Sequence, residues 1–151
     1  MITRRDLAVA TAAACATIAV VAFAQSSAKP LMQCSVFDWN KIEATPTKTG
    51  ARRAFFDAPT ATLDRLECHV TTVNPGEAAH APHKHPEEEL MIVKEGTLES
   101  VQEGVTNRVG PGSIIFEASN QMHGVRNAGD TPATYFVFKW FCPGTLKNKA
   151  E

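Results

Sequence analysis

The chain has 151 residues and a formal net charge of −1, from 15 Lys and Arg against 16 Asp and Glu. This balance excludes the basic surface that nucleic-acid binding requires, so we expect no nucleic-acid partner. The length that remains after the N-terminal segment described next suits one domain with one core and not two.

The first 24 residues have the composition of an export signal. The pair Arg4-Arg5 precedes an apolar stretch from Leu7 to Phe23, and Ala22-Phe23-Ala24 has the small-x-small pattern that a signal peptidase cleaves. The pair is similar to the signal of the twin-arginine route, so we predict a signal peptide over residues 1–24 and a periplasmic or secreted protein. A membrane helix is the alternative, but the stretch is short and rich in alanine for a stable span.

Three cysteines follow the predicted signal, and none of them belongs to a CxxC pair, which excludes the usual zinc-ribbon and redox motifs. Cys34 and Cys142 lie near the two ends of the remaining chain, where an oxidising periplasm would permit a disulfide. Cys68 falls in a strand-like run and is interpreted as a small buried residue. The sequence leaves open whether Cys34 and Cys142 are bonded.

After residue 32, short apolar runs are separated by Pro, Gly and Asn, and no long helical period occurs. This pattern predicts one all-β domain over residues 32–145. Strands with a single apolar face must pack on a second sheet or close into a barrel, and a jelly roll does both. The predicted strands are 54–56, 63–73, 90–95, 97–102, 105–109, 113–117, 124–126 and 134–140.

Three histidines and one glutamate indicate a metal site. His83 and His85 are two residues apart, so an extended chain directs both side chains to one face, whereas a helix would separate them by about 200°. Glu89 follows at another even step, and His123 would join from a different strand. Three nitrogens and one oxygen suit a single divalent ion of Mn, Fe, Co, Ni, Cu or Zn, and the pattern does not choose among these metals.

Other polar residues near this group are interpreted differently. His80 is predicted to be a solvated loop residue and His69 a structural one. The sequence does not assign a face to the strand residues Glu117, Tyr135 and Lys139.

The order and spacing of these residues resemble the two motifs of the cupins. The first motif, a glycine, HxH, a glutamate and a second glycine, is matched by Gly76, His83, His85, Glu89 and Gly96, with one extra residue after Gly76. The second motif is matched by Gly112, His123 and Asn127. Ala118 and Asn120 replace its usual proline and glycine, in a turn where Asn tolerates a positive φ.

The resemblance implies the cupin jelly-roll barrel, or double-stranded β-helix, with a metal ion on the four residues named above and Asn127 tying backbone segments together. It also implies a homodimer and an enzyme of the dioxygenase, isomerase, decarboxylase or lyase type that acts on a small organic molecule. A module that binds or senses a metal or small ligand without catalysis is the alternative. Part of the apolar surface of six residues is expected to line a pocket for an aromatic or short-chain substrate: Met91, Val93, Ile115, Phe116, Phe136 and Phe138.

Overall fold

A computed structural model describes residues 29–143 and 145, so the predicted signal peptide and its cleavage site lie outside the described residues. Within that part, a 3₁₀ turn at Trp39–Lys41 precedes nine strands. No helix among the described residues has the length and apolar character to cross a membrane. The strands are β1 (Thr45–Thr47), β2 (Gly50–Ala58), β3 (Arg65–Val73), β4 (Glu88–Glu95), β5 (Leu98–Gln102), β6 (Val105–Val109), β7 (Ile114–Glu117), β8 (His123–Asn127) and β9 (Ala133–Phe141).

The strands form two antiparallel sheets. A six-stranded sheet has the order β1-β2-β3-β9-β4-β7, and a three-stranded sheet has the order β6-β5-β8. Every pairing between these strands is antiparallel. Consecutive strands pair directly at β1-β2-β3 and β5-β6, and the chain passes from one sheet to the other between β4 and β5, β6 and β7, β7 and β8, and β8 and β9, as in a jelly roll. The all-β jelly-roll prediction is confirmed.

The core consists of side chains that alternate along the strands. In β4, Glu89, Met91 and Val93 are buried, while the residues between them are only half-buried. Full burial of one large aliphatic side chain contributes roughly 1.5–3 kcal/mol, so this inner face provides much of the stability. The clustered core residues are Val73, Met91, Val93, Leu98, Ile115, Ala133, Tyr135 and Val137.

Of the six apolar residues of which part was expected to line a pocket, Met91 lines the cavity described below, whereas Phe116, Phe136 and Phe138 lie on the other face of their strands. Phe136 stacks on Phe138 with ring centroids 6.4 Å apart, and it also contacts Trp39 at 6.0 Å. Phe116 is 49% exposed. The reason is strand alternation: in β9, Tyr135 and Val137 occupy the buried face, so their neighbours point the other way.

Asn127 has the structural role that the motif predicted. Its side chain is fully buried, its Nδ2 donates to the carbonyl oxygens of Val73 at 3.0 Å and Thr131 at 2.8 Å, and its Oδ1 accepts from the backbone of Gly129 at 2.9 Å. Cys68 is buried as predicted. Cys34 and Cys142 are exposed free thiols.

Candidate metal centre

The backbone brings His83 and His123 side by side. The two residues form an antiparallel bridge, with reciprocal N–H to carbonyl hydrogen bonds of 2.9 Å. The carbonyl of His85 accepts from the backbone of Asn120 at 2.8 Å, which holds the segment before β4 against the turn before β8. The sequence expectation of an extended segment is met here, although His83 and His85 precede β4 and do not lie within it.

The three imidazole rings meet at one centre. The ring of His83 lies 5.4 Å from that of His85 and 4.9 Å from that of His123, and the rings of His85 and His123 are 4.7 Å apart. One ring nitrogen from each lies within 4.8 Å of the others. These separations allow one ion to contact all three rings.

In each of the three imidazoles, Nδ1 forms a hydrogen bond with a backbone carbonyl oxygen. Nδ1 of His83 contacts the carbonyl oxygen of Ala81 at 3.0 Å. Nδ1 of His85 and of His123 make the same contact at 2.9 Å, to the carbonyl oxygens two residues away. A carbonyl oxygen only accepts, so each Nδ1 carries a proton. In a neutral ring, Nε2 is then left with its lone pair, the form in which histidine binds metals.

Glu89 is a buried, ionised carboxylate beside this centre. It is 5% exposed, and its Oε2 lies 3.3 Å from Nε2 of His85 and 2.7 Å from Nζ of Lys139. Burial alone would raise the pKa of this carboxyl, but the hydrogen bond that a protonated His85 donates through Nε2 and the charge of Lys139 outweigh burial and lower the pKa to about 2. The same contact raises the pKa of His85.

Glu117 adds a second buried carboxylate. It is 2% exposed, and it lies directly opposite Glu89 in the pairing of β4 with β7. Burial, followed by the charge of Glu89, raises the pKa of Glu117 to about 8. Oε2 of Glu117 lies 3.1 Å from Nε2 of His123. Both carboxylate oxygens and this nitrogen lack a hydrogen-bond partner among the described residues.

These unpartnered buried atoms test whether a metal ion fits. A buried polar group without a partner costs about 1–3 kcal/mol, so native proteins rarely keep several together. A cation at the centre would partner the histidine lone pairs and the carboxylate oxygens at once. The side chains form two overlapping groups that could hold such an ion, His83 with His85 and His123, and Glu89 with Glu117 and His123. The residues present fit a divalent transition metal.

The structure thus brings all four residues of the predicted site together, and their role as metal ligands stays a prediction. Glu117 and Lys139 were not assigned to the site from the sequence. Both lie opposite Glu89 on the neighbouring strands, and each follows a buried apolar residue, Ile115 or Val137, by two positions. A charged residue that continues an inward apolar row at a two-residue step is the signal that could have found them.

His69, His80 and Glu88 lie near the centre but make contacts of their own. His80 is exposed as predicted, with its ring 5.8 Å from that of His83. Nδ1 of His69 contacts Oε1 of Glu67 at 3.1 Å. Glu88 accepts a hydrogen bond of 2.9 Å from Nε1 of Trp140, so its carboxylate is engaged away from the centre.

A cavity of about 60 Å³ adjoins the centre. Its walls include the polar Glu89, Glu117 and His123 and the core residues Met91, Tyr135 and Val137. This volume holds only a few atoms, since one water molecule occupies about 30 Å³ of liquid.

Comparison with known proteins agrees with this architecture. Residues 69–139 match the family model described as Cupin domain. Among solved structures, KdgF from Halomonas sp. is 20% identical, with a TM-score of 0.60 over 71% of this chain and 94% of that chain. The polyketide cyclase RemF from Streptomyces resistomycificus is 25% identical, with a TM-score of 0.58 over 72% of this chain and 80% of that one.

A predicted oxalate decarboxylase from Thermotoga maritima is 16% identical, with a TM-score of 0.57 over 71% of this chain and 99% of that one. No protein of curated function matches the chain. The likeness to solved structures at these identities concerns the fold.

Proposed function

Because this chain has the cupin fold and carries a cupin domain at residues 69–139, we propose that it is an exported metal-dependent enzyme that acts on a small organic molecule. The observation that carries the proposal is the common orientation of three imidazoles, each bonded to the backbone through Nδ1. This leaves three Nε2 atoms beside a buried carboxylate, a donor set for Fe, Mn, Ni, Zn, Co or Cu.

His83, His85, His123 and Glu89 would hold the ion, with Glu117 next to them. When bound, a divalent ion supplies a Lewis acid that polarises a carbonyl or enolate oxygen. Lys139 keeps the Glu89 carboxylate in place through its 2.7 Å contact. Met91, Tyr135 and Val137 exclude water from the side of the cavity that faces the core.

The reaction belongs to the dioxygenase, isomerase, decarboxylase or lyase type. RemF, which is 25% identical to this chain, is named as a polyketide cyclase and so acts on a small organic molecule. This likeness supports an enzyme with an organic substrate and leaves the reaction to be found by assay.

Turnover by the metal-loaded protein tests the proposal. The purified full chain is incubated with phenols, diketones, oxo-acids and uronates, both with and without oxygen, and its metal content is measured in the same preparation. We expect turnover that is lost in His83→Gln and kept in Lys84→Gln, because the side chain of Lys84 is exposed and lies outside both the predicted ligand set and the wall of the cavity. Stoichiometric metal without turnover of any compound would instead favour a binding or sensing module.

Export is the part of the proposal that rests on the N-terminal sequence alone. Residues 1–24 have the paired arginines, apolar stretch and small-x-small site of a signal peptide. Replacing the pair by Arg4→Lys and Arg5→Lys is expected to retain the protein in the cytoplasm, as measured by cell fractionation and by the mass of the mature chain. An unchanged distribution together with an unprocessed N-terminus would refute export by this route.

A further inference from the structure

A second cavity, larger than the first, lies beside the metal centre. It has a volume of about 400 Å³, within the range of about 300–1,000 Å³ that is usual for small-molecule sites. Its walls come from the hairpin of β1 and β2 and from the inner face of β3. His69, Thr71, His80 and Lys139 line both this outer cavity and the small inner one, so a bound molecule would reach the metal centre past Lys139.

Most of the charged residues in the wall of the outer cavity are cationic. Lys48, Arg52 and Lys139 line it, and they face a single acid, Glu67. His69 adds no charge at neutral pH, since burial, followed by the charge of Arg52, lowers its pKa to about 4. The chain as a whole has a net charge of −1, so the positive excess is a local property of this cavity.

The two inner cations come from the strands on either side of β3, Arg52 from β2 and Lys139 from β9. Lys139 lies opposite Glu67 in the pairing of β3 with β9, where facing Cβ atoms are about 5 Å apart. Nη2 of Arg52 reaches Oε1 of Glu67 at 2.7 Å from the other side. A guanidinium has five N–H donors and an ammonium three, so one carboxylate does not saturate them.

We propose that the outer cavity binds the carboxylate group of a small organic monoanion between Arg52 and Lys139, and thereby presents the rest of that molecule to the metal centre. This inference rests on the proposed function, since it assigns a substrate class to the same site. A monoanion suits the wall better than a phosphate dianion, because Glu67 and Glu89 already offset part of the cationic charge and would repel a second negative charge.

The hairpin that supplies Lys48 and Arg52 lies outside the family match, which covers residues 69–139. The proposed anion site therefore combines the matched segment of the barrel with a hairpin that the family match does not cover. The phenylalanines Phe116, Phe136 and Phe138, which the sequence suggested as part of an apolar lining, do not line either cavity.

Binding of benzoate to the purified full chain tests the inference, with benzamide as the uncharged analogue and inorganic phosphate as the alternative anion. Titration calorimetry measures the affinity. Changes in the NMR chemical shifts of the backbone amides of Thr47 and Thr49 report whether binding occurs at the hairpin. We expect benzoate to bind about tenfold more tightly than benzamide and than phosphate, and Arg52→Gln to lose about tenfold in benzoate affinity, the effect of about one charge-assisted hydrogen bond.

Arg53→Gln is the matched control, since it removes the same charge from the next residue of β2, whose side chain contacts Trp39 on the other face. Equal affinities of the two variants, equal binding of benzamide, or tighter binding of phosphate would overturn the inference. If Arg52→Gln does not fold, Lys48→Gln at the exposed turn replaces it, with a loss of about threefold expected and an unchanged affinity contrary to the inference.

Metal content and turnover in the same preparations separate this inference from the proposed function. Selective benzoate binding by a chain that takes up no metal would support the anion site and overturn the metal-dependent enzyme. Metal-dependent turnover with no preference for a carboxylate substrate would support the metal-dependent enzyme and overturn the anion site.

Discussion

At the scale of single residues, Glu117 and Glu89 place two carboxylates in one buried site. They lie opposite each other on β7 and β4, and only Glu89 has a close cationic partner, Lys139. The two groups therefore divide into an ionised carboxyl with a pKa of about 2 and one with a pKa raised to about 8. Without a metal ion, this pairing lowers stability, since Glu117 must either take up a proton or lie as a second charge beside Glu89, and its buried oxygens have no hydrogen-bond partner among the described residues.

Glu117→Gln is expected to raise the melting temperature of the metal-free protein by about 4 °C, corresponding to about 1 kcal/mol. The amide keeps the shape of the side chain and removes a carboxyl that the folded protein must either protonate or keep ionised beside Glu89. The same change should weaken metal binding by about tenfold, as loss of a group next to a metal ligand commonly does. Calorimetry of the metal-free and metal-titrated variant measures both effects, with the exposed Glu77→Gln as control. A lower melting temperature without metal would contradict this account.

The lowered pKa of His69 predicts that the free energy of unfolding depends on pH. Its pKa is lowered from 6.5 to about 4 by burial and then by Arg52, so the folded protein takes up the proton less readily than the unfolded chain. The stability that the neutral ring contributes is full above pH 6.5 and is lost as the pH falls through 4. The difference in unfolding free energy between the wild type and His69→Gln should shrink between pH 7.5 and pH 4.5 in denaturant titrations. A difference that stays constant over this range would refute the lowered pKa of His69.

At the scale of strands, the site depends on one row of charged residues across the inner face of the six-stranded sheet. Glu117, Glu89, Lys139 and Glu67 occupy successive strands β7, β4, β9 and β3 in one register. The adjoining row is apolar on β7, β4 and β9, with Ile115, Met91 and Val137, and has His69 on β3. The row of charges therefore marks where the packed core ends and the binding site begins.

Part of this arrangement could be predicted from local sequence. β6 was predicted at its observed bounds, because polar residues and glycine turns limit it on both sides, and β9 was predicted to within one residue at each end. β1 was missed, since its three residues are all exposed and have no apolar alternation. The convergence of His83 and His85 followed from a two-residue step. The positions of Glu117 and Lys139 beside Glu89 follow from strand register, which is set by pairing between distant segments.

The turn between β4 and β5 depends on Gly96. Its φ is +81°, and a Cβ built there would lie 2.6 Å from Cα of Ala133. Gly104 has a φ of +82° with nothing within 4 Å of its Cβ position. Gly104→Ala should therefore cost about 1 kcal/mol for the left-handed backbone alone, and Gly96→Ala about 1–3 kcal/mol more for displacing β9. Equal melting temperatures for the two variants would show that the close approach to Ala133 is unimportant.

At the scale of the whole molecule, the predicted metal ligands come from both sheets. His123 begins β8 in the three-stranded sheet, and Glu89 belongs to β4 in the six-stranded sheet. An ion bound to both would therefore link the sheets in addition to serving the site. The homodimer implied by the cupin resemblance stays a prediction, which light scattering of the purified protein would test.

Removal of metal is expected to lower the melting temperature of the whole domain in a single transition. A ligand that binds only the folded state stabilises it by about 4 kcal/mol at a thousandfold excess over its dissociation constant. Scanning calorimetry before and after chelation measures this difference, and re-addition of the ion should restore it. A chelated protein that melts at the same temperature as the untreated one would count against a shared ion.

The most direct test of the account is the metal content of the purified protein and of variants at the centre. Elemental analysis is expected to find about one equivalent of a divalent transition metal per chain, almost none in His83→Ala and His123→Ala, and an unchanged amount in His80→Ala. A folded wild-type protein that neither contains such a metal nor takes up one equivalent, or a His123→Ala variant that retains it, would contradict the proposed metal centre.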